Sequence, residues 1–373
     1  MIKKVFIPES PNAERFQKEL SSFEQNPEIL SVMILAGAGT DYRPEDYNRI
    51  LIDSALSIIG GIFEEILYHG KRYKRGMVIV GFSQNFNSLV LKDEMQTRVE
   101  ASIENQFSGI NPSLKTIFIF SDAFSQIKNK VLDGLYNCFG TMPNYIGGGA
   151  GSLEFKQFPC LFTNEGIIDK GVVIGCARLE SSIGVSHGWS AISEPLKVTE
   201  SKKNEIISLN WKPAGQVYAH IISEHCGKHY EERELNNIIQ SYPFGVSKLD
   251  AEMVVRDPYK VIDNSIFTLD TIDQGSYVQV LYGNLESLLE GASRSKKRAE
   301  EDSDISNYEL FLIDCISRVL FMGDEFNKEL KRIDPDFLGF GALTLGEIAN
   351  NGESYLEIYN KTSVVCHLDS GGT

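Results

Sequence analysis

The 373-residue sequence has no apolar run approaching the roughly 20 residues that cross a bilayer. Its first residues, MIKKVFIPES, lack the apolar stretch and the small-residue cleavage site of a secretory signal. Basic side chains are also scarce: 36 Lys and Arg stand against 51 Asp and Glu, giving a net charge of −15. The missing signal and apolar run predict a cytoplasmic protein. The negative net charge predicts no membrane or nucleic-acid partner, because a negative surface repels phosphates.

Metal-binding and redox motifs are missing as well. The six cysteines form no C-x-x-C pair, and most lie in apolar segments such as VVIGCA, so we interpret them as small core side chains. No H-E-x-x-H motif is present, and no metal site is predicted. The segment HIISEHCGKH keeps two alternatives open, a transition metal or an axial haem ligand, on His220, His225 and His229.

One pattern does recur: an apolar strand, a helix, a glycine-containing strand, a turn region and a closing strand. The first copy runs from Ser31–Gly37 to Met77–Phe82, and the second from Thr116–Asp122 to Val172–Ala177. A third begins at Glu309–Cys315 and ends with SVVCHL, and a fainter fourth lies between ELNNIIQSY and SYVQVLYG. The pattern predicts an α/β (mixed α+β) fold with two related halves of mixed β-sheets covered by helices, built from β-α-β-β-β units.

The segment NYIGGGAGSLEF places four glycines between Gly147 and Gly151. A dinucleotide-binding loop needs G-x-G-x-x-G followed at once by a helix, whereas this run leads into FPCLFTNEG, which has strand and turn character. We therefore interpret the run as a strand that passes closely beneath another element or lines a cavity, where a Cβ does not fit.

A second motif, GVSHG at residues 184–188, matches the G-x-S-x-G of serine hydrolases. In those enzymes the serine lies on a sharp turn between a strand and a helix. Here the following GWSAISEPLKVTES contains Pro195 and continues as an extended segment. A hydrolase that uses Ser186 is therefore a less favoured alternative than a non-enzymatic protein.

Several motifs together resemble the FIST domain family. In GVSHGWSAISEPLKVTESKKNEIISLNWKPAGQVY, the S-H-G-W, P-x-x-V-T, N-x-I and P-A-x-x-V-Y elements resemble the N-terminal FIST domain. MVVR, DQGSYVQVL, DCISR, and GALTLGEI followed by YNKT resemble the C-terminal one. Two positions depart from the family pattern: Ser317 replaces the glycine of C-x-G-R, and Tyr359 replaces the histidine of H-N-x-T. The resemblance predicts an N-terminal domain over residues 1–213 and a C-terminal domain over 214–373.

The resemblance implies a signal-transduction sensor that binds a small ligand, such as an amino acid or small metabolite. The implied partner is a separately encoded histidine kinase, chemoreceptor or cyclic-di-nucleotide enzyme. One subgroup of the family binds haem and senses nitric oxide, so a haem-binding sensor, with His187 or the histidine cluster as axial ligand, is the alternative.

Polar residues within these motifs suit a ligand pocket. Arg256 or Arg318 would grip a carboxylate and Glu347 an ammonium group, unless Arg318 and Glu347 pair with each other. His187 is either a ligand contact or a hydrogen-bonded turn residue, and Trp189 either a pocket wall or a core side chain. The full set of predicted ligand-binding residues comprises Arg256, Arg318, Glu347, Gly346, Asn360, Trp189, His187, Gly147 and Gly148.

Overall fold

The computed structural model describes residues 2–8, 11–107, 109, 114–248, 252–301, 305–350 and 355–371. In the first part of the chain, residues 2–82, the apolar run Ser31–Gly37 is buried throughout. It forms a central strand, as continuous apolar runs do. The Asn12 side chain accepts a hydrogen bond from the Arg15 N–H and so caps the first helix. The elements are β1 (Ile2–Ile7), α1 (Ala13–Glu24), β2 (Ser31–Gly37), α2 (Pro44–Ile52), β3 (Ser57–Phe63), β4 (Glu65–Tyr68), β5 (Lys71–Tyr73) and β6 (Met77–Phe82).

The second stretch repeats this arrangement. Helix α4 buries Val131, Leu132 and Leu135 at helical spacing against the sheet, and it begins at Lys128. The elements are β7 (Asn87–Lys92), α3 (Val99–Phe107), β8 (Thr116–Asp122), α4 (Lys128–Phe139), β9 (Asn144–Ala150), β10 (Leu161–Thr163), β11 (Gly166–Ile168) and β12 (Gly171–Ala177).

The third stretch contains the region of the fainter fourth copy, and that prediction is wrong. Its strands pair antiparallel in a nine-stranded sheet, whereas each true unit contains a parallel pair. The elements are β13 (Ser181–Ser186), β14 (Ser190–Ala191), β15 (Leu196–Lys202), β16 (Glu205–Leu209), β17 (Lys212–Pro213), α5 (Ala214–Cys226), α6 (Glu232–Leu235), β18 (Phe244–Val246), β19 (Val254–Arg256), β20 (Pro258–Ile262), β21 (Ser265–Thr268) and β22 (Tyr277–Tyr282).

The last stretch begins with a long helix and ends with the third unit. Helix α7 packs across β13 and the closing strand of that unit. The elements are α7 (Leu285–Glu301), β23 (Tyr308–Cys315), α8 (Ile316–Met322), α9 (Phe326–Ile333), β24 (Phe340–Thr344), β25 (Glu347–Ala349), β26 (Glu357–Tyr359) and β27 (Ser363–Asp369).

The three units share one pairing scheme. In each, the first strand pairs in parallel with the strand after the helix (β2 with β3, β8 with β9, β23 with β24). The same first strand pairs antiparallel with the closing strand (β6, β12 and β27). The three-copy pattern of the sequence therefore corresponds to three structurally equivalent units.

The units are joined by exchanged hairpins. The β4–β5 hairpin of the first unit pairs with β24 of the third, the β10–β11 hairpin of the second with β3 of the first, and the β25–β26 hairpin of the third with β9 of the second. With an outer strand added to each closing strand, three six-stranded sheets of equivalent order result. We call them sheet 1, sheet 2 and sheet 3, after the unit at their centre.

The inner faces of the three sheets meet in one core. Phe118 in sheet 2 lies 6.2 Å from Phe311 in sheet 3, and Phe63 in sheet 1 lies 5.8 Å from Phe120 in sheet 2, between ring centroids. The predicted mixed α/β class is confirmed. The division at residues 213 and 214 stays a prediction, and it falls between β17 and α5.

Candidate functional site

Most of the predicted site residues lie around the exchanged β25–β26 hairpin. Gly346 has a φ of 101° and forms the turn that leads into this hairpin. Glu347 pairs with Gly148 across the sheet, and Asn360 lies in the turn between β26 and β27. The structure therefore gathers residues from the N-terminal and C-terminal parts of the chain at the junction of sheets 2 and 3.

The glycine run is a close-packed strand, as its sequence context predicts. A Cβ on Gly147 would lie 1.7 Å from the carbonyl oxygen of Ile119, and one on Gly148 would lie 2.6 Å from Cγ2 of Thr344. Both glycines are buried inside sheet 2, between β8 and β25. Their ligand-binding assignment is therefore replaced by a packing role.

Arg318 is fully buried and has no donor left for a ligand. Its Nε and Nη2 atoms bond to the two carboxylate oxygens of Glu329, at 3.0 and 2.6 Å. The remaining N–H groups are donated to the main-chain carbonyls of His187, Lys361 and Leu288. The pair predicted as Arg318–Glu347 is in fact Arg318–Glu329, and it joins α8, α9 and the start of α7 to the turn after β13.

Glu347 is fully buried at the start of β25. Its carboxylate accepts hydrogen bonds from the Thr344 hydroxyl (2.9 Å) and from the Thr362 N–H (3.3 Å). Burial raises the pKa of Glu347 to about 8, although these hydrogen bonds lower it. A carboxyl group so enclosed holds the β24–β25 turn against the β26–β27 turn, so the predicted ammonium contact is replaced by this structural role.

His187 and Trp189 form a turn that is held by hydrogen bonds. Nδ1 of His187 accepts from the Trp189 N–H at 2.9 Å, and Nε2 lies 3.1 Å from the carbonyl oxygen of Met253. Burial lowers the pKa of His187 to about 4, so the ring is neutral. Trp189 is buried and donates its indole N–H to the carbonyl of Lys361. His187 is therefore a hydrogen-bonded turn residue, and Trp189 is a core side chain.

Ser186 lacks the geometry of a hydrolase nucleophile. It ends β13 and is buried, and the next regular element is strand β14, not a helix. Its hydroxyl lies 3.2 Å from Glu252 and 3.3 Å from Nε of Arg294, and the ring nitrogens of the adjacent His187 are bonded elsewhere. The strand–turn–helix arrangement that defines the motif is not formed here.

The histidine cluster does not fit a haem. His220 is exposed on α5 beside Glu224, with 3.5 Å between Nε2 and Oε1, and Nδ1 of His225 lies 3.4 Å from the Tyr242 hydroxyl. His229 is exposed, and the groove that it shares with His220 is also lined by glutamates 231 and 232. Within the described ranges, no group of three or more His, Cys, Asp or Glu is arranged for a metal ion.

Arg256 lines a cavity of about 320 Å³, which we call the Arg256 cavity. It lies between α4, the ends of β18 and β19, the loop before β22, and β26. Its charged or polar lining comprises Asn129, Asp133, Lys248, Arg256, Asp270, Thr271, Asp273, Ser276, Tyr355 and Glu357. Cavities with a few convergent polar groups at the junction of structural units are common ligand sites.

Within this cavity the Arg256 guanidinium is only partly occupied. Nη1 donates to the carbonyl of Ile358 at 2.8 Å, and Nη2 lies 3.8 Å from Oε2 of Glu357. The buried Nε has no hydrogen-bond partner among the described residues. Glu357 is also paired with Lys248. Of the two predicted arginines, Arg256 therefore keeps an N–H group for a ligand acceptor.

Asp270 is a largely buried anion of the Arg256 cavity. Its two oxygens bond to Nζ of Lys128 and to Nδ2 of Asn360, each at 2.9 Å. Burial raises the pKa of Asp270, but the charges of Lys128 and Arg256 outweigh it and lower this pKa to about 2. Asn360 therefore contributes indirectly, by holding the carboxylate in place.

This depressed pKa predicts a stabilising contribution that is present above pH 4. Asp270→Asn is expected to lose roughly 2 kcal/mol of unfolding free energy at pH 7, from the shift between an ordinary 3.8 and about 2. The difference from wild type should shrink as the pH falls from 4 towards 2, because the native carboxylate is then protonated. Urea titrations across this range measure it. Asp53→Asn, at an exposed helix end, should show neither effect.

Sequence reasoning did not identify several residues of this cavity. Lys128 and Asp270 are 142 positions apart, and Asp133 and Tyr355 are 222 apart, yet both pairs are hydrogen-bonded. The sequence offered one signal for Asp270: it lies three residues before the DQG of the DQGSYVQVL motif. Neither contact follows from local spacing.

Comparison with known families matches residues 41–212 to the FIST N domain and residues 214–350 to the FIST C domain. The chain belongs to the FIST family, whose domains are signal-transduction sensor domains. It is 22% identical over 306 residues to the uncharacterized protein MJ1623 of Methanocaldococcus jannaschii. That alignment covers 73% of this chain and 57% of the relative's length.

The helices are too short or too polar to cross a membrane, as far as the described residues extend. The longest, α7, has charged residues along its last two turns.

Proposed function

We propose that the chain is a non-enzymatic sensor that binds a small zwitterionic metabolite of the amino-acid class in the Arg256 cavity. The observation that carries this proposal is the buried, unpartnered Nε of Arg256, because this side chain lines a cavity that also contains carboxylates. A ligand carboxylate would accept from Arg256, and a ligand ammonium group would lie towards Asp133 or Asp273. The volume of about 320 Å³ is at the lower end of small-molecule sites.

The position of the cavity supports a sensing role. Asn129, Leu132 and Asp133 come from α4 of the second unit, and the other lining residues come from the C-terminal part of the chain. A ligand there would contact both parts, and it would shift their arrangement only if it bound one arrangement more tightly than the other. The partner that reads this change is proposed to be a separately encoded histidine kinase, chemoreceptor or cyclic-di-nucleotide enzyme.

The proposal predicts ligand-dependent stabilisation that is lost with Arg256. The probes are the 20 amino acids, each added to the full chain in a thermal unfolding assay. A binder at a hundredfold excess over its Kd should stabilise the protein by about 2.7 kcal/mol. Arg256→Met should weaken that binding by about ten-fold or more, because it removes a charge-assisted hydrogen bond.

Two further variants make this result specific. Arg332→Met, which removes a surface arginine paired with Glu286, should bind as wild type does. Asp133→Asn tests the ammonium contact on the outside of α4 without altering Arg256. An amino acid that stabilises wild type and Arg256→Met equally would place the site elsewhere, and no stabilisation by any amino acid would refute the ligand class.

A further inference from the structure

A second cavity of about 320 Å³ lies at the edge of sheet 3 where β23 begins and β27 ends. It is bounded by α7, by the start of β23, by the loop between α9 and β24, and by the end of β27. We call it the His367 cavity. Its lining comprises Lys4, His69, Lys296, Tyr308, Glu309, Leu310, Ile333, Asp334, Pro335, Asp336, Leu338 and His367. None of these residues lines the Arg256 cavity.

His367 is the unexplained group in this cavity. Its residue is 1% exposed, and its ring stacks on Tyr308 with centroids 3.7 Å apart. Nε2 is buried and has no hydrogen-bond partner among the described residues. Buried polar atoms are nearly always hydrogen-bonded, and an unsatisfied one costs stability. An unsatisfied imidazole nitrogen on a side chain that lines a cavity is therefore suited to a ligand atom.

The neighbouring charges indicate the sign of that ligand. Lys4 is paired with Glu309, and the two oxygens of Asp334 accept the N–H groups of Leu338 and Gly339. Lys4 and Glu309 therefore offset each other, and Asp334 keeps its negative charge but has both oxygens committed to main-chain N–H groups. Asp336 is exposed, so water and salt screen its charge.

Lys296 is the cation that remains close to the imidazole. Its Nζ is 3.8 Å from Glu300, beyond hydrogen-bond distance, and its side chain is largely buried along α7. Burial, with the positive charge of Lys296 as a second cause, lowers the pKa of His367 to about 4. The ring is thus neutral, and the two groups that remain for a ligand, the Lys296 ammonium and the imidazole N–H, are both donors, which favours an anionic acceptor.

We propose that the His367 cavity binds the oxyanion group of a small organic acid, a carboxylate or a phosphate ester. The oxyanion accepts one hydrogen bond from Nζ of Lys296 and one from the Nε2–H of His367. The volume exceeds that of a bare oxyanion, so the rest of the molecule occupies the space beside Tyr308 and Leu310. Because no lining residue is shared with the Arg256 cavity, this is a second ligand input, independent of the proposed amino-acid site.

The test uses the full chain with acetate and inorganic phosphate as separate probes in calorimetric titrations. Binding of either probe is expected, and the preferred probe distinguishes a carboxylate from a phosphate ligand. The ring ¹⁵N resonances of His367 should move during the titration. Lys296→Met and His367→Phe should each weaken binding by about ten-fold or more. The phenylalanine keeps a flat ring against Tyr308 but removes the nitrogens.

Lys297→Met is the matched control. Lys297 is the next residue of α7, is mostly exposed and pairs with Glu301, and does not line the cavity. It should bind both probes as wild type does. No binding of either probe, unchanged affinity in Lys296→Met, or an equal loss in Lys297→Met would each overturn the proposal. Lys296→Met places an unbranched apolar side chain of similar length in a partly buried position, so it keeps the test valid should His367→Phe fold poorly.

Discussion

Replacing Arg318 by methionine is expected to lower the free energy of unfolding by about 3–5 kcal/mol. The substitution removes the cation that neutralises Glu329, a carboxylate with no exposure to water. It also removes a donor from three main-chain carbonyls, of which that of Lys361 keeps the indole N–H of Trp189. Asp314, 3.3 Å from Nε of Arg318, loses this cation too, and burial and the charge of Glu329 already raise its pKa well above the usual range.

Urea unfolding followed by circular dichroism measures this loss. Arg49→Met serves as the control, because Arg49 is exposed and pairs with the equally exposed Asp53 at the end of α2. Its cost should stay within about 0.5 kcal/mol. Adding Glu329→Leu to Arg318→Met should recover part of the loss, since the unpaired carboxylate is then gone. An Arg318→Met protein as stable as wild type but impaired in ligand binding would return Arg318 to the ligand site.

Replacing Gly147 by alanine is expected to cost about 3 kcal/mol or more, at the upper end of overpacking effects. The new Cβ would lie 1.7 Å from the Ile119 carbonyl oxygen, a main-chain atom that can move only if β8 and β9 separate. Gly60 and Gly341 occupy the equivalent place in the other units, and a Cβ on either would lie 1.9 Å from the carbonyl oxygen of the facing residue. The same substitution should therefore be comparably costly in all three units.

Gly227→Ala separates this steric effect from the ordinary preference of glycine for positive φ. Gly227 ends α5 with a φ of 64°, and a Cβ there meets no atom within 4 Å. Its replacement should cost about 1 kcal/mol, the penalty of a left-handed conformation. Chemical denaturation of the four alanine variants gives the comparison. A Gly147→Ala cost no larger than that of Gly227→Ala would mean that the strands do not approach this closely.

The sequence was sufficient to predict the repeated units, because each central strand is a continuous apolar run with glycines nearby. The strands Ser31–Gly37, Met77–Phe82 and Thr116–Asp122 begin and end where the sequence predicts. The exchange of hairpins was not predictable, since β4 and β24 are paired across more than 270 positions. The prediction of a fourth unit was wrong because the alternating apolar residues in β18 and β22 fit an antiparallel sheet equally well.

The candidate site was likewise predictable only in part. Motif position identified Arg318, Glu347 and Asn360 as important polar residues, and all three are buried. Whether a buried arginine faces a ligand or a protein carboxylate depends on which side chains surround it. Glu329 has no distinguishing mark in the sequence, because it lies in a charged helix, KELKRI, that reads as surface. Three-dimensional burial alone separates it from its neighbours.

The exchanged hairpins also have a consequence for how the chain is made. Sheet 3 takes β4, β5 and β13 from early in the chain and β23, β24 and β27 from late in it. During synthesis, β4 must therefore wait for more than 270 residues before its partner β24 emerges from the ribosome. Unpaired strand edges favour association with other chains, and pairings over such distances form slowly. The interval between the synthesis of β4 and that of β24 is thus a period in which β4 lacks the strand that covers its edge in the folded protein.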